Sequence, residues 1–229
     1  MSKIEALGLL SPESYVGQLD SLLNEVKHRL DFGPIAARRR RRAEHHVQQT
    51  GILEYILPNR SYLDVGCGKG YIGAEIKTSV RDVGMFGIDL DDRPTKRMQK
   101  VISHTFSTAD ARKIPLLKEI FDGTMVFFVM HHIDLGTQES LLKEVMRVTK
   151  KGGYVFVAED TVPRGDIDQW KRTMKADRRF NPDFKLKKPH TFRSKEEWLS
   201  IFERLNLTSI KVVDYQSGEV PHTFFALSK

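Results

Sequence analysis

The sequence has a single cysteine, Cys67, in 229 residues. One cysteine excludes an internal disulfide and a cysteine-based zinc site. Long apolar runs are also missing, since no stretch approaches the ~20 consecutive apolar residues of a membrane-spanning helix. The first residues lack the basic stretch and apolar run of a signal peptide. We therefore expect a cytoplasmic protein without a membrane span.

Acidic residues are scarce in one segment. Residues 161–195 contain eleven Lys and Arg but four Asp, an excess equal to the net charge of +7 of the whole chain. Aromatic side chains such as Trp170 are interleaved with these cations. The segment favours an anionic partner, but it is also typical of a solvated face. A second basic run, five arginines at 38–42, must turn at least one side chain inward or to an edge if it is helical.

Strands and helices alternate from residue 61 onwards. Because the strands are continuously apolar, they indicate a parallel sheet covered on both faces, and a closing strand pair around Gly218 adds one antiparallel member. The predicted strands are 62–65, 85–89, 105–109, a segment within 121–130, 154–158, 210–215 and 223–227, and the predicted helices are 35–57, 72–77, 93–101, 138–148 and 194–205.

The most informative stretch is 61–70, where an apolar strand runs into a glycine turn. Glycines at 66, 68 and 70 let the backbone turn sharply and approach a ligand closely. The helix that follows points free backbone N–H groups at whatever lies in the turn. Asp64, at the end of the strand, suits a ligand with an ammonium group and would repel a pyrophosphate.

Two other interpretations of this turn stay open. Gly68, Gly70 and Gly73 also fit the dinucleotide fingerprint, and Asp89 lies at the spacing of a ribose-binding acid. Against this, the fingerprint normally starts at the first glycine after the strand, and from Gly66 the third glycine is out of register. A glycine turn can also join a strand to a helix without any ligand.

Further elements follow the turn in a fixed order. Asp89 ends the second strand, Asp110 follows the third, a His131-His132 pair closes the fourth, and a double glycine precedes the fifth. Together with the glycine turn, this ordered set resembles the class I S-adenosylmethionine-dependent methyltransferases, with the methyltransferase type 11 group as the closest subgroup. The resemblance extends from about residue 61 to the C-terminus.

The resemblance implies a Rossmann-like α/β fold with a seven-stranded, mostly parallel sheet, helices on both faces and an antiparallel last strand. This domain would span residues 59–229, after an N-terminal helical cap at 1–58. It also implies S-adenosyl-L-methionine as the cofactor. In the family, the glycine turn holds the methionine part, and the acids after strands two and three meet the ribose and the adenine. The implied cofactor residues are Asp64, Gly66, Cys67, Gly68, Gly70, Asp89, Leu90, Asp110, Ala111 and Val129.

Candidate catalytic residues lie at the carboxyl ends of the fourth and fifth strands, where ligands of open α/β sheets bind. They are His131, His132 and Glu159. The protein must position the acceptor and, where the acceptor carries a proton, help to remove it. The alternative is that the histidine pair only caps its strand. Adjacent residues of a strand or helix point in different directions, so we expect no bound metal.

The basic segment at 161–193 would overhang the acceptor site in this fold and is predicted to be a substrate lid. Its cations and aromatic rings suit a small-molecule acceptor that is acidic, aromatic or lipid-like, and methylation of such an acceptor is the first functional hypothesis. The same composition can stack bases and hold phosphates, so RNA methylation is the alternative. Oligomeric state is not predicted.

Overall fold

The computed structural model describes residues 34–90, 105–180 and 190–229. The part of the cap before residue 34, the predicted helix at 93–101 and the lid residues 181–189 lie outside these ranges. Short 3-10 helices occur at Ile52–Tyr55 and Met130–His132. The α-helices and strands are α1 (Pro34–Thr50), β1 (Ser61–Val65), α2 (Tyr71–Ser79), β2 (Gly84–Asp89), β3 (Thr105–Thr108), β4 (Phe121–Phe127), α3 (Leu135–Val148), β5 (Thr149–Asp160), α4 (Ile167–Phe180), α5 (Lys195–Arg204), β6 (Thr208–Ser217) and β7 (Val220–Ser228).

The strands form one seven-stranded sheet in the order β3-β2-β1-β4-β5-β7-β6. Neighbours from β3 to β5 are parallel, whereas β7 runs antiparallel to both β5 and β6. This arrangement confirms the predicted fold class, including the antiparallel last strand. The strand order reverses between β1 and β4, which is where open α/β sheets bind their ligands.

Apolar clusters cover both faces of the sheet, because successive strand residues point to opposite sides. In β5, Val155 and Val157 belong to the cluster under α3 and α5, while Phe156 belongs to the cluster under α1 and α2. Five-residue strands such as β1 are thus buried almost throughout. No helix in the described ranges combines the length and apolarity needed to cross a membrane.

Three local differences from the sequence-based prediction have physical causes. The helix predicted at 35–57 ends at Thr50, because Gly51 adopts a left-handed φ of 63°. The fourth strand lies within 121–130 as predicted, but it ends at Phe127, so the His131-His132 pair lies in a separate 3-10 turn, and Phe128 has a φ of 59°. A left-handed aromatic residue is strained, and such strain often accompanies a functional site. Helix α4 was not predicted, because its sequence is dominated by charge.

Candidate cofactor and acceptor site

The glycine turn is held between the ends of two neighbouring strands. Gly66, Gly68 and Gly70 all have left-handed φ angles, of 72°, 51° and 71°. The amides of Gly66 and Cys67 donate to the carbonyl of Ile88 at 2.8 and 3.0 Å. A Cβ on Gly66 would lie 2.3 Å from Cγ2 of Val129, so only glycine fits there. Among the described atoms, none lies within 4 Å of a Cβ placed on Gly68, so this glycine faces open space.

The start of α2 has no side-chain cap. Its N-cap is Gly70, and no side chain there accepts a hydrogen bond from the first turn of the helix. Backbone N–H groups at such a terminus attract an anion. The turn therefore suits a ligand that carries a carboxylate.

Two carboxylates face the same turn from the strand side. Asp64 is 5 % exposed, and its burial together with the nearby charge of Asp89 raises its pKa to about 7. Asp89 accepts a hydrogen bond from the Gly68 amide at 2.7 Å. A ligand ammonium beside Asp64 would favour the ionised carboxylate. Anion-binding amides and a buried acid together fit the two charged ends of an amino-acid group, as in the methionine part of S-adenosylmethionine.

The remaining predicted cofactor residues differ in their exposure to solvent and in the groups that they contact. Asp110 forms an ion pair with Arg112, with Nε 2.9 Å from Oδ1, and this hydrogen bond keeps the Asp110 pKa below its usual value. Leu90 is 72 % exposed beyond the end of β2, and Ala111 packs against the core. Burial raises the pKa of the Cys67 thiol, so it is not a reactive thiolate. Contact of these residues with the cofactor stays a prediction.

Glu159 at the end of β5 shapes the chain that leaves β4. Its Oε1 accepts the amides of Val129 and Met130 at 2.9 and 2.8 Å, and its Oε2 lies 2.7 Å from Nδ1 of His131. The carboxylate thereby fixes the 3-10 turn and keeps Val129 against the glycine turn. Its side chain is 0 % exposed, so a role for Glu159 in direct contact with an acceptor stays a prediction.

His131 and His132 lie close to the carboxylate of Asp177, a residue that the sequence analysis did not predict to be part of the site. Oδ1 of Asp177, on α4, lies 3.8 Å from Nε2 of His131 and 4.0 Å from Nε2 of His132. Oδ2 of the same carboxylate lies 2.7 Å from Nε2 of His190. We call these four residues the histidine–aspartate cluster. Strand or helix geometry was expected to point the rings of His131 and His132 in different directions. The two residues lie in a 3-10 turn instead, and their ring centroids are 4.1 Å apart.

The cluster divides charge unequally between its rings. Burial opposes a proton on His131, but Glu159 and the other carboxylates outweigh it and raise the His131 pKa well above its ordinary value. Burial and the charge on His131 lower the pKa of His132 to about 3. Burial disfavours ionised Asp177, but the interactions with His131 and His190 outweigh it and lower its pKa. At neutral pH the adjacent histidines are therefore in different protonation states.

A second buried polar group lies at the ends of β5 and β7. Nε of Arg42 donates to Nε2 of His46 at 3.0 Å, so one member of the arginine run does face inward, as predicted. Nδ1 of His46 lies 3.0 Å from the Tyr215 hydroxyl, and Nδ1 of His222 lies 2.8 Å from Asp160. Burial and His222 lower the pKa of His46 to about 2, so its ring is neutral. A cleft of about 420 Å³ adjoins this group along Tyr215 and His222.

The segment 161–193 contacts the end of β4 at several points. The Thr191 amide donates to the His131 carbonyl at 2.9 Å, and the Phe192 ring centroid lies 5.3 Å from that of His131. Trp170 packs edge-on against Phe192 at 6.1 Å. The cations of α4 point elsewhere: the exposed residues of this helix include Lys171, Arg172, Lys175, Arg178 and Arg179. In the described part of this segment, Trp170, Asp177 and Phe192 therefore pack inward, whereas the cations of α4 face outward.

The sheet order, the glycine turn at the switch point and the buried acid before it are those of the class I S-adenosylmethionine-dependent methyltransferase fold. Residues 63–153 match the family model described as a methyltransferase domain. S-adenosylmethionine is the cofactor of the class, and the donors and carboxylates of the turn fit its methionine part.

Relatives and solved structures agree with this assignment. A ubiquinone/menaquinone biosynthesis C-methyltransferase from Bdellovibrio bacteriovorus is 28 % identical over 122 residues, which are 50 % of this chain and 51 % of that protein. A 2-methyl-6-phytyl-1,4-hydroquinone methyltransferase from Synechocystis is 28 % identical over 147 residues, 55 % of this chain and 45 % of that protein. The chain thus spans about half the length of the curated relatives it matches. A crystal structure of a methyltransferase from Bacillus halodurans has a TM-score of 0.63 at 15 % identity and covers 80 % of this chain and 99 % of that one, which shows a shared fold.

Proposed function

We propose that the protein transfers a methyl group from S-adenosylmethionine to a small-molecule acceptor that is acidic, aromatic or lipid-like. The observation that carries the proposal is the position of the histidine–aspartate cluster. Val129 packs on Gly66 of the cofactor turn, and His131 follows it by two residues. Side chains that can accept and donate protons therefore lie next to the glycine turn, which is the proposed cofactor site. Two relatives are named for methylation in quinone biosynthesis or of a hydroquinone, and both names suit an aromatic acceptor.

Each residue has a distinct part in this mechanism. Asp64 pairs with the cofactor ammonium, the amides at the start of α2 hold its carboxylate, and Asp89 binds the ribose hydroxyls. The bound cofactor supplies an electrophilic methyl group. His131 and His132 orient the acceptor and move its proton, while Glu159 fixes His131. Helix α4 covers the cluster and excludes water, which strengthens its electrostatic interactions.

Cofactor binding is the first expected result. Calorimetry should show binding of S-adenosylmethionine and S-adenosylhomocysteine without comparable NAD binding. Asp89→Ala should weaken binding of S-adenosylhomocysteine by ~1–3 kcal/mol, because hydrogen bonds to a charged group are lost. Asp168→Ala, which removes an exposed carboxylate of α4, is the matched control and should bind normally. Tight NAD binding with no response to S-adenosylhomocysteine would refute the assignment.

RNA methylation is the alternative function, and the outward cations of α4 are what favour it. Methyl transfer to RNA should fall steeply with salt, and a double variant with Arg178→Ser and Arg179→Ser should weaken RNA binding and reduce that salt dependence. For a small-molecule acceptor, the same double variant should leave turnover unchanged, whereas Trp170→Ala should raise the Michaelis constant because it removes packing on Phe192. Transfer of labelled methyl groups to a panel of phenols, hydroquinones and RNA, measured at low and high salt, separates the two functions.

A further inference from the structure

We propose that His131, His132 and Asp177 bind one divalent transition-metal ion at the carboxyl end of β4. This reverses the sequence-based expectation that no metal is bound. Binding of the ion is independent of methyl transfer, while its use on an acceptor rests on the proposed function.

The donor atoms are already close together. One ligand atom from each of the three residues lies within 4.8 Å of the others. Ligands at the usual metal distance of about 2.0–2.2 Å are about 3–4 Å apart, so small movements of the side chains towards a common centre complete the site. Two of the three pairs of ligand atoms, from Oδ1 of Asp177 to Nε2 of His131 and of His132, are separated by 3.8 and 4.0 Å.

One of the candidate metal-ligand atoms makes no hydrogen bond within the described residues. His131 is 1 % exposed, and its Nε2 has no hydrogen-bond partner among the described residues. A buried polar atom without a protein partner is costly. It lies 3.8 Å from Oδ1 of Asp177, and a metal ion between Asp177 and His132 would displace the proton of this nitrogen to solvent and bind its lone pair.

Neighbouring groups orient the ligands in the manner of metal sites. Histidine ligands usually hydrogen-bond a carboxylate through the other ring nitrogen, and ligating carboxylates are themselves hydrogen-bonded. Glu159 lies 2.7 Å from Nδ1 of His131, which leaves Nε2 for the metal. His190 lies 2.7 Å from Oδ2 of Asp177 and supports this carboxylate through its other oxygen. Both supports are buried, so the ligand orientations are fixed before any ion arrives.

The donor set selects the kind of ion. Two imidazoles and one carboxylate suit Zn²⁺, Fe²⁺, Co²⁺ or Mn²⁺, whereas Mg²⁺ and Ca²⁺ prefer oxygen donors alone. Three protein ligands leave at least one coordination position open, as in catalytic rather than structural sites. An acceptor hydroxyl in that position would release its proton to water more readily, which is the activation that methylation of an oxygen or of an aromatic ring requires.

The test uses the full chain without a polyhistidine tag, stripped with chelator and then dialysed against Zn²⁺ or Co²⁺. We expect one equivalent of metal per chain by elemental analysis, and a visible absorption band from bound Co²⁺. Asp177→Asn and His132→Gln should each lower the metal affinity by on the order of 100-fold or more, because a ligand is lost. His190→Gln, which changes only the support of Asp177, should lower it by about 10–100-fold.

Asp168→Asn is the matched control, because it replaces an exposed aspartate of the same helix, and it should bind metal like the unmodified chain. Thermal unfolding and binding of S-adenosylhomocysteine identify variants that have not folded, and two independent ligand variants keep the test decisive. If the unmodified chain retained less than a tenth of an equivalent of Zn²⁺ and also less than a tenth of an equivalent of Co²⁺, the proposal would be overturned. Equal metal binding by the unmodified chain and both folded ligand variants would also overturn it. Because the readout is metal content, it does not depend on whether methyl transfer is found.

Discussion

Replacement of His131 is expected to lower turnover by ~10²–10⁴-fold while the affinity for S-adenosylhomocysteine stays unchanged. The imidazole lies two residues beyond Val129, between Glu159 and Asp177, whereas the predicted cofactor contacts are at the ends of β1 and β2. Loss of the ring therefore affects the chemical step and not cofactor binding. Initial rates of methyl transfer and calorimetric titration measure the two effects separately.

His131→Ala leaves the buried Glu159 carboxylate without its imidazole partner, and such a change can unfold a protein. His131→Gln keeps a side-chain donor for Glu159, so this variant and His132→Ala complete the set. His45→Ala is the control, because His45 contacts only the backbone of Gln216 among the hydrogen bonds described for it. Unchanged turnover in both His131→Gln and His132→Ala would reduce the pair to capping its turn.

Asp64→Asn is expected to stabilise the fold at alkaline pH while it weakens cofactor binding. Burial and Asp89 raise the Asp64 pKa from 3.8 to about 7, so the folded state holds this proton more tightly than the unfolded state does. The stability contributed by the proton is complete below about pH 4 and is lost as pH rises to about 7. The asparagine variant lacks this loss, and it should gain up to ~4 kcal/mol above pH 7, since one pKa unit corresponds to about 1.4 kcal/mol.

Urea unfolding at pH 4 and pH 8 measures this difference. The two chains should have similar stability at pH 4 and differ at pH 8, and the variant should bind S-adenosylhomocysteine more weakly, because an amide cannot neutralise its ammonium. Asp82→Asn, at an exposed carboxylate before β2, should change neither quantity. A variant that is no more stable than the unmodified chain at pH 8 would show that Asp64 is ionised without cost in the folded state.

Local sequence patterns predicted the sheet and the cofactor turn well. Apolar strands, a glycine turn and an acid at a strand end are each encoded within a few residues, and their order determined the expected topology. The strand and helix ends were less predictable. Phe128 is an example. Its left-handed backbone is accompanied by a tertiary contact, the hydrogen bond that its amide donates to the Ala158 carbonyl at 2.8 Å.

The histidine–aspartate cluster shows what local patterns miss. His131, Asp177 and His190 come from three separate parts of the chain, and no short motif joins them. One signal was available nonetheless. The spacing of Trp170, Thr173, Met174 and Asp177 follows one helical face, which predicts an inward side for α4.

Asp177 has a consequence for the order of events in a catalytic cycle. It belongs to the helix that covers the site, so any outward swing of α4 large enough to admit an acceptor would also carry this carboxylate away from His131. Admission of the acceptor and completion of the reactive centre are then two phases of one movement. While the site is open to water, His131 would lack its Asp177 partner and the reactive centre would be incomplete. Closure would restore this partner, so bound cofactor would be protected from hydrolysis between turnovers.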